Sequence, residues 1–467
     1  MDTPILDMLN SYKSKNRISF CMPGHKGGQG LVCDFSSFSL DVTELHDTDN
    51  LNNPKNAIEK SLKKARDFYK TKDTFYLTNG STSGIFVMLA SSLKPHDKLL
   101  VSRNCHSSVI NAMTLLDIEP IYINQPILED FLVPGGIDCD LAEDLIKKHS
   151  PKAMIITSPN YYGLCCDIKK LSFICHKYNI PLLVDSAHGA HFMGNTDIFP
   201  SCAISDGADL VVESAHKTLN AVNQTALLHF NSDIVSQDTV KSTVSMLLTS
   251  SPSYLLCANL DFAISDLMEN GYIAWKKVYD RVLTLKNNIS KYYKVIDRNI
   301  IGKDFIFDID ETRLTINFSD YDITGFKVSE ILRTEYNIDI EMADLHNIVL
   351  IPTVANNDSD FDILENALIK ISKTLEKKCS KDLNIPLPDL VPGITPTKAF
   401  HSNTKLIDLK SSQNKISAKT ITSYPPAVPI ITAGGVITDD AILSLLELGK
   451  NGADITGLYD DKILITE

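Results

Sequence analysis

Six short apolar runs, at residues 74–77, 98–101, 120–123, 153–157, 182–184 and 210–212, alternate with stretches of helical spacing such as 58–69. Strand and helix in alternation predict a parallel sheet with helices on both faces, because parallel strands need a crossover between them. Sheets of this kind hold their ligands beyond the carboxyl ends of the strands. The residues that follow each run therefore carry the functional information.

Three runs close on reactive side chains. The run at 210–212 leads into Ser214-Ala215-His216-Lys217-Thr218, which places Lys217 on a loop at a strand end. A lysine that attacks an aldehyde needs a partly desolvated amine, and a cationic neighbour such as His216 lowers its pKa further. Alone, Lys217 has an ordinary reading as a solvated lysine. The run at 182–184 closes on Asp185-Ser186-Ala187-His188, one helix and one strand before the lysine, so the two share a sheet edge. The run at 74–77 closes on Asn79-Gly80-Ser81-Thr82-Ser83-Gly84, ahead of a helix expected over 85–93. Glycine and hydroxyls at a helix N-terminus make a phosphate site. A phosphate cradle, a buried aspartate and a covalent lysine are together what pyridoxal phosphate asks of a protein.

On these stretches the chain resembles the Orn/Lys/Arg decarboxylase family of pyridoxal-phosphate enzymes, fold type I, in a short form without the N-terminal wing domain. The resemblance also rests on Met22-Pro-Gly-His-Lys-Gly-Gly28, Arg103-Asn-Cys-His106-Ser107, Thr157-Ser-Pro-Asn-Tyr-Tyr-Gly163, Gln224-Thr225 and Tyr424-Pro-Pro-Ala-Val-Pro429, and covers nearly the whole chain. It implies an α/β fold with a large aspartate-aminotransferase-like domain, a smaller α/β domain and a C-terminal α+β domain. It implies pyridoxal phosphate held covalently by Lys217, at its phosphate by Gly80, Ser81, Thr82 and Ser214, and at its ring nitrogen by Asp185, with His106, His188 and His216 close by. His106 either stacks flat on the ring or is a loop histidine bonded to backbone. His188 touches the ring, orients the aspartate, or is a packed polar residue. Thr249 or Ser250 reaches across a homodimer to the neighbour's phosphate, or serves as a plain helix N-cap before Pro252. His25 and Lys26 lie near the active site or are turn residues between glycines.

The expected organisation is an N-terminal arm over 1–60, a large cofactor-binding domain over 61–260, a small α/β domain over 261–376 and a linker with C-terminal domain over 377–467. A strand is expected at 227–230, a long helix over 258–293, and in the smaller unit strands at 305–309, 314–318 and 348–352 with a helix over 325–336. The length of 467 residues suits two or three domains. The net charge of −13 argues against nucleic acid or an anionic membrane as partner. Ten cysteines without a C-x-x-C pair read as reduced thiols, no metal site is expected, and no run approaches a membrane span, so a cytoplasmic enzyme is the expectation.

Asp185 would keep the ring nitrogen protonated and the ring an electron sink, and His216 or the released Lys217 would return a proton to the α-carbon after loss of CO₂. No arginine follows Arg333, so the C-terminal third lacks the carboxylate clamp common in aminotransferases of this fold, and a carboxylate left unclamped in an apolar setting favours loss of CO₂; the alternative is that Arg313, which precedes a strand of the smaller unit, serves as the clamp. The implied reaction is decarboxylation of arginine, lysine or ornithine to agmatine, cadaverine or putrescine. One departure stands out: where the family commonly carries Pro-Gly-Glu, this chain has Ala433-Gly434-Gly435. The glutamate is a candidate partner for the basic end of the substrate, and its loss would cost about 2–5 kcal/mol unless Asp47, Asp49 or Glu341 substitutes. A changed substrate, an aminotransferase or aldolase reaction, or a catalytically degenerate partner subunit is the alternative.

Overall fold

The structure, a computed structural model, describes residues 18–20, 25–26, 29, 42–44, 48–378, 387–424 and 428–467. Most of the expected N-terminal arm, including most of the segment 22–28, lies outside the described residues, as do Asp47, residues 379–386 of the expected linker and residues 425–427. His25 and Lys26 form a turn, with Lys26 buried at φ 47°.

The sheet contains seven strands: β1 Asp73–Leu77, β2 Lys98–Ser102, β3 Glu119–Ile123, β4 Ala153–Thr157, β5 Leu182–Asp185, β6 Leu210–Glu213 and β7 Ala226–Phe230. They lie in the order β1-β7-β6-β5-β4-β2-β3. All are parallel except β7, which runs antiparallel between β1 and β6. Alternate residues bury opposite faces, as a two-residue period dictates. Leu100, Met154, Val184 and Val211 belong to one apolar cluster, while Leu99, Ile155, Leu183 and Val212 belong to another. Both faces are covered by helices, which explains why the strands read as continuous apolar runs.

Helix Gly80–Ser92 starts five residues earlier than its apolar spacing suggested, because Gly80 and the hydroxyls form its first turn. A Cβ at Gly84 would meet Val212 Cγ2 at 2.5 Å, so glycine there lets the helix lie against β6. Helix Tyr254–Ile289 starts at the Ser253 cap and runs across the 260/261 boundary. Its apolar face and that of the smaller unit share one cluster with the large sheet, including Leu260, Leu285, Leu314 and Ile348.

The smaller unit has an antiparallel sheet of Lys294–Val295, Leu314–Asn317, Asn347–Leu350 and Met342–Ala343. The strand expected at 305–309 is corrected. Residues Lys303–Phe305 form a tight turn, with Asp304 and Phe305 at positive φ, and only Asp308–Ile309 extends, pairing with Leu164–Cys165. Phe305 and Phe307 are exposed, so the apolar run there does not mark a core strand.

The C-terminal part has its own apolar cluster, with Leu409, Ile421, Ile431, Leu445 and Ile463. Arg103, at the end of β2, ties it to the large sheet. Its Nε and Nη2 donate to the Pro388 carbonyl at 3.0 and 2.7 Å, and Nη1 donates to the Pro429 carbonyl at 2.6 Å. Burial lowers this guanidinium to about 10, so it remains charged near neutrality. Arg103→Met leaves two buried carbonyls unpaired at about 1–3 kcal/mol each. The expected result is a lower melting temperature and earlier protease release of the C-terminal part; wild-type behaviour in both assays would remove this role.

Candidate active site

The carboxyl ends of the parallel strands converge on one cavity of about 170 Å³. Asp185 closes β5 opposite Val212 of β6, and Lys217 follows in the short helix Ala215–Thr218. Lys217 Nζ lies 3.0 Å from His188 Nε2 and 5.4 Å from the centre of the Tyr161 ring. Burial is the largest influence on this amine and lowers its pKa, while Asp185 and Glu341 raise it and Arg313 lowers it. The lowering therefore comes from burial and Arg313. His216 is itself held neutral, pushed down to about 4 chiefly by burial, so it is not the cationic neighbour expected from sequence.

Asp185, His106, His188, Ser81 and Lys217 all line the cavity. Asp185 Oδ1 accepts from the Ala187 amide at 3.1 Å, and Oδ2 has no hydrogen-bond partner among the described residues. His106 caps helix Ser107–Leu116: Nδ1 accepts from the Ser108 amide at 3.2 Å and sits 2.8 Å from Ser108 Oγ, which places the neutral ring's proton on Nε2. His188 packs on Tyr161 at 4.4 Å, and its buried Nδ1 is unpartnered. At the phosphate end, Ser214 Oγ donates to Ser81 Oγ at 2.8 Å, and the N-terminus of helix Gly80–Ser92 has no side-chain cap. These features fit pyridoxal phosphate. An unpartnered carboxylate oxygen faces a buried amine across a cavity that has paired hydroxyls at an uncapped helix end.

The other sequence-derived residues lie elsewhere. Gly80 and Thr82 belong to the same helix end without lining the cavity. His216 Nδ1 bonds the Thr225 carbonyl at 2.9 Å and also stays outside the lining. Thr249 and Ser250 are exposed and outside their own chain's cavity, and the helix cap after Pro252 is Ser253. Asp49 is a structural cap, because its carboxylate accepts from the amides of Lys55, Asn56 and Ile58 at 2.8–2.9 Å. Glu341 does not line the cavity, and neither does Gly435.

The family follows from the chain as a whole. Residues 3–360 match the model described as Orn/Lys/Arg decarboxylase, major domain, and residues 373–455 match Orn/Lys/Arg decarboxylase, C-terminal domain. The chain belongs to the Orn/Lys/Arg decarboxylase family. It is 30% identical to an arginine decarboxylase of Bacillus anthracis over 98% of this chain and 95% of that one. It is also 30% identical to an arginine decarboxylase of Bacillus subtilis, over 99% and 96% of the two chains. A crystal structure of lysine decarboxylase from Francisella novicida superposes with a TM-score of 0.79 at 20% identity, covering 98% of this chain and 80% of that one, and establishes the fold.

Within this Orn/Lys/Arg decarboxylase, the structure adds residues that sequence reasoning did not single out. Tyr161, Asn104 and Asn160 line the cavity from motifs already recognised, whereas Asp344, His346, Ser444 and Glu447 come from segments with no local signal. Arg313 is buried, and none of its three guanidinium nitrogens has a hydrogen-bond partner. It packs beside Gly163, where a Cβ would come within 2.7 Å of the Arg313 Cβ.

The buried neutral state of His216 sets a pH dependence. Its folded pKa of about 4 lies below the unfolded 6.5, so between those values only the unfolded chain takes up the proton. Stability therefore falls as pH drops through this window, by up to about 1.4 kcal/mol per pH unit for the one group. Thermal unfolding of His216→Asn between pH 4.5 and 7.5 should show a shallower slope than wild type; an equal slope would contradict the assignment.

Proposed function

We propose that the chain catalyses pyridoxal-phosphate-dependent decarboxylation of a basic amino acid, with arginine the first substrate to test, in a homodimer of soluble cytoplasmic character. The observation that carries this reading is Lys217 Nζ held out of water 3.0 Å from His188, beside Asp185. The full-length similarity to arginine decarboxylases supports the choice of arginine.

When bound, pyridoxal phosphate supplies an aldehyde that joins to amines and a ring that takes up the electron pair left by the departing CO₂. The protein's contribution is placement and proton control. Ser81, Ser214 and the uncapped helix end hold the phosphate. Asp185 Oδ2 holds the proton on the ring nitrogen. Lys217, its pKa lowered by burial, is poised to react as an amine, and once it has taken up a proton its ammonium form can return that proton to the α-carbon. Neutral His188, kept so by burial and by Lys217, accepts a hydrogen bond from the amine without competing for its charge. His106, fixed by its helix cap, presents a rigid wall.

Arg313, buried and outside the cavity lining but close enough for its charge to act on Lys217 and His188, is the group this reading assigns to the substrate's α-carboxylate. Its guanidinium nitrogens make no hydrogen bond, and Asp310 and Glu341 offset its burial through charge alone, so a carboxylate brought in by the substrate would supply the missing bidentate hydrogen bonds. The anchor also fixes which α-bond stands ready to break. Arg313→Lys should raise KM for the amino acid at least tenfold while leaving affinity for the product amine, which lacks the carboxylate, within about twofold. A matching loss for both ligands would refute the carboxylate contact.

The activity itself is tested by release of labelled CO₂ from carboxyl-labelled arginine, lysine and ornithine on protein saturated with pyridoxal phosphate. Turnover of one of them is expected, with no turnover by Lys217→Ala and no borohydride-trapped adduct at position 217. Silence on all three substrates would exclude the decarboxylase assignment for basic amino acids.

A further inference from the structure

The residue that recognises the basic end of the substrate is not where the family pattern puts it. Gly435 brings no carboxylate, and its own contacts are structural: its amide donates to Thr432 O at 2.9 Å and its carbonyl accepts from the Ser417 amide at 2.9 Å. Asp49 caps a helix, and Glu341 stays outside the cavity. A cavity for a long cationic side chain must still offer an acceptor, because an unpaired cation in an apolar enclosure is strongly disfavoured.

Three carboxylates line the cavity among the described residues: Asp185, Asp344 and Glu447. Asp185 stands at the strand end beside the amine. Both oxygens of Asp344 are already engaged by protein groups. Its Oδ1 accepts from the amides of His346 and Asn347 at 2.7 and 2.8 Å, and its Oδ2 accepts from the Tyr162 hydroxyl at 2.9 Å and Asn347 Nδ2 at 3.1 Å. Glu447 differs from both. One oxygen, Oε1, accepts from Asn451 Nδ2 at 2.9 Å, which fixes the carboxylate, while among the described residues Oε2 has only the long 3.6 Å approach of exposed Lys450.

The setting of Glu447 suits a hydrocarbon chain ending in a charge. It sits on helix Asp439–Lys450 in the C-terminal part, and the neighbouring lining from that part is mostly apolar: Leu387, Val428, Ile430 and Leu448. Asp185 and Lys217 reach the same cavity from the strand ends of the large sheet. The same cavity therefore offers apolar surface for methylene groups and a carboxylate for a terminal cation. Glu447 is partly exposed.

We infer that Glu447 is the specificity-determining residue for the distal cation of the substrate, taking over the role that Gly435 cannot fill. The inference rests on the decarboxylase reading above. It selects a guanidinium or ammonium group at the far end and disfavours an uncharged side chain of the same length. Asn451 acts as its positioning residue, through the hydrogen bond that orients the carboxylate.

The test uses the full-length holoenzyme and the variants Glu447→Gln and Glu447→Asp. Calorimetry measures affinity for agmatine and for its uncharged ureido isostere, and initial rates give kcat and KM for arginine. Glu447→Gln should weaken agmatine binding and raise KM for arginine by about tenfold or more, with a smaller change in kcat. The ureido compound should bind wild type and variant alike, and Glu447→Asp should recover part of the loss. Unchanged agmatine affinity in Glu447→Gln overturns the inference, and so does an equal loss for both ligands, since that would report a damaged wall. Failure of wild type to decarboxylate any basic amino acid overturns the parent reading instead. Activity on lysine or ornithine alone keeps the inference, with cadaverine or putrescine replacing agmatine in the binding assay.

Discussion

Holding an amine out of water while keeping it reactive is the constraint on which this architecture turns. An isolated ammonium does not tolerate burial, and the protein answers by letting burial favour the neutral form. Lys217 is enclosed by Tyr161 and by His188, which burial also keeps neutral, and Arg313 adds repulsion from nearby. Asp185 opposes this lowering and limits it. The result is an amine whose charge state is balanced by groups on separate elements, so the sheet must hold those elements in fixed register.

That register explains the rest of the fold. β5 and β6 pair in parallel with Val212 opposite Asp185, which sets the aspartate and the lysine loop side by side. The helix carrying Ser81 can approach β6 because Gly84 removes the side chain that would block it. The antiparallel β7 brings Gln224 and Thr225 to the same edge, where their carbonyls receive the Gly80 amide and His216 Nδ1. The phosphate end and the lysine loop are thereby tied through a third strand.

Much of this was legible in the sequence, for a physical reason. Strands buried on both faces read as uninterrupted apolar runs, and the chemistry follows them at the strand ends, so Lys217, Asp185, His188 and Ser81 could be found by position. What was hidden depends on partners far away in the chain. His216 looked like a charged neighbour of the lysine, yet the Thr225 carbonyl and burial make it a neutral brace. Asp49 looked available, yet three amides of a following helix claim it. The apolar run at 305–309 looked like a core strand, but exposure of Phe305 and Phe307 shows that hydrophobic content without two-sided burial does not make one. Glu447 occupies an unremarkable polar position on an amphipathic helix, and only the tertiary arrangement turns it toward the cavity.

The Arg103 tether has a consequence for how such a protein can change over generations. One guanidinium fastens two backbone carbonyls next to the cavity-lining residues Leu387, Val428 and Ile430, and it does so without regard to the side chains those segments carry. Replacements along that lining can thus accumulate while its position is kept and the reactive edge is untouched. Preference for one amine-bearing molecule over another becomes a trait that drifts independently of the power to break a carbon–carbon bond.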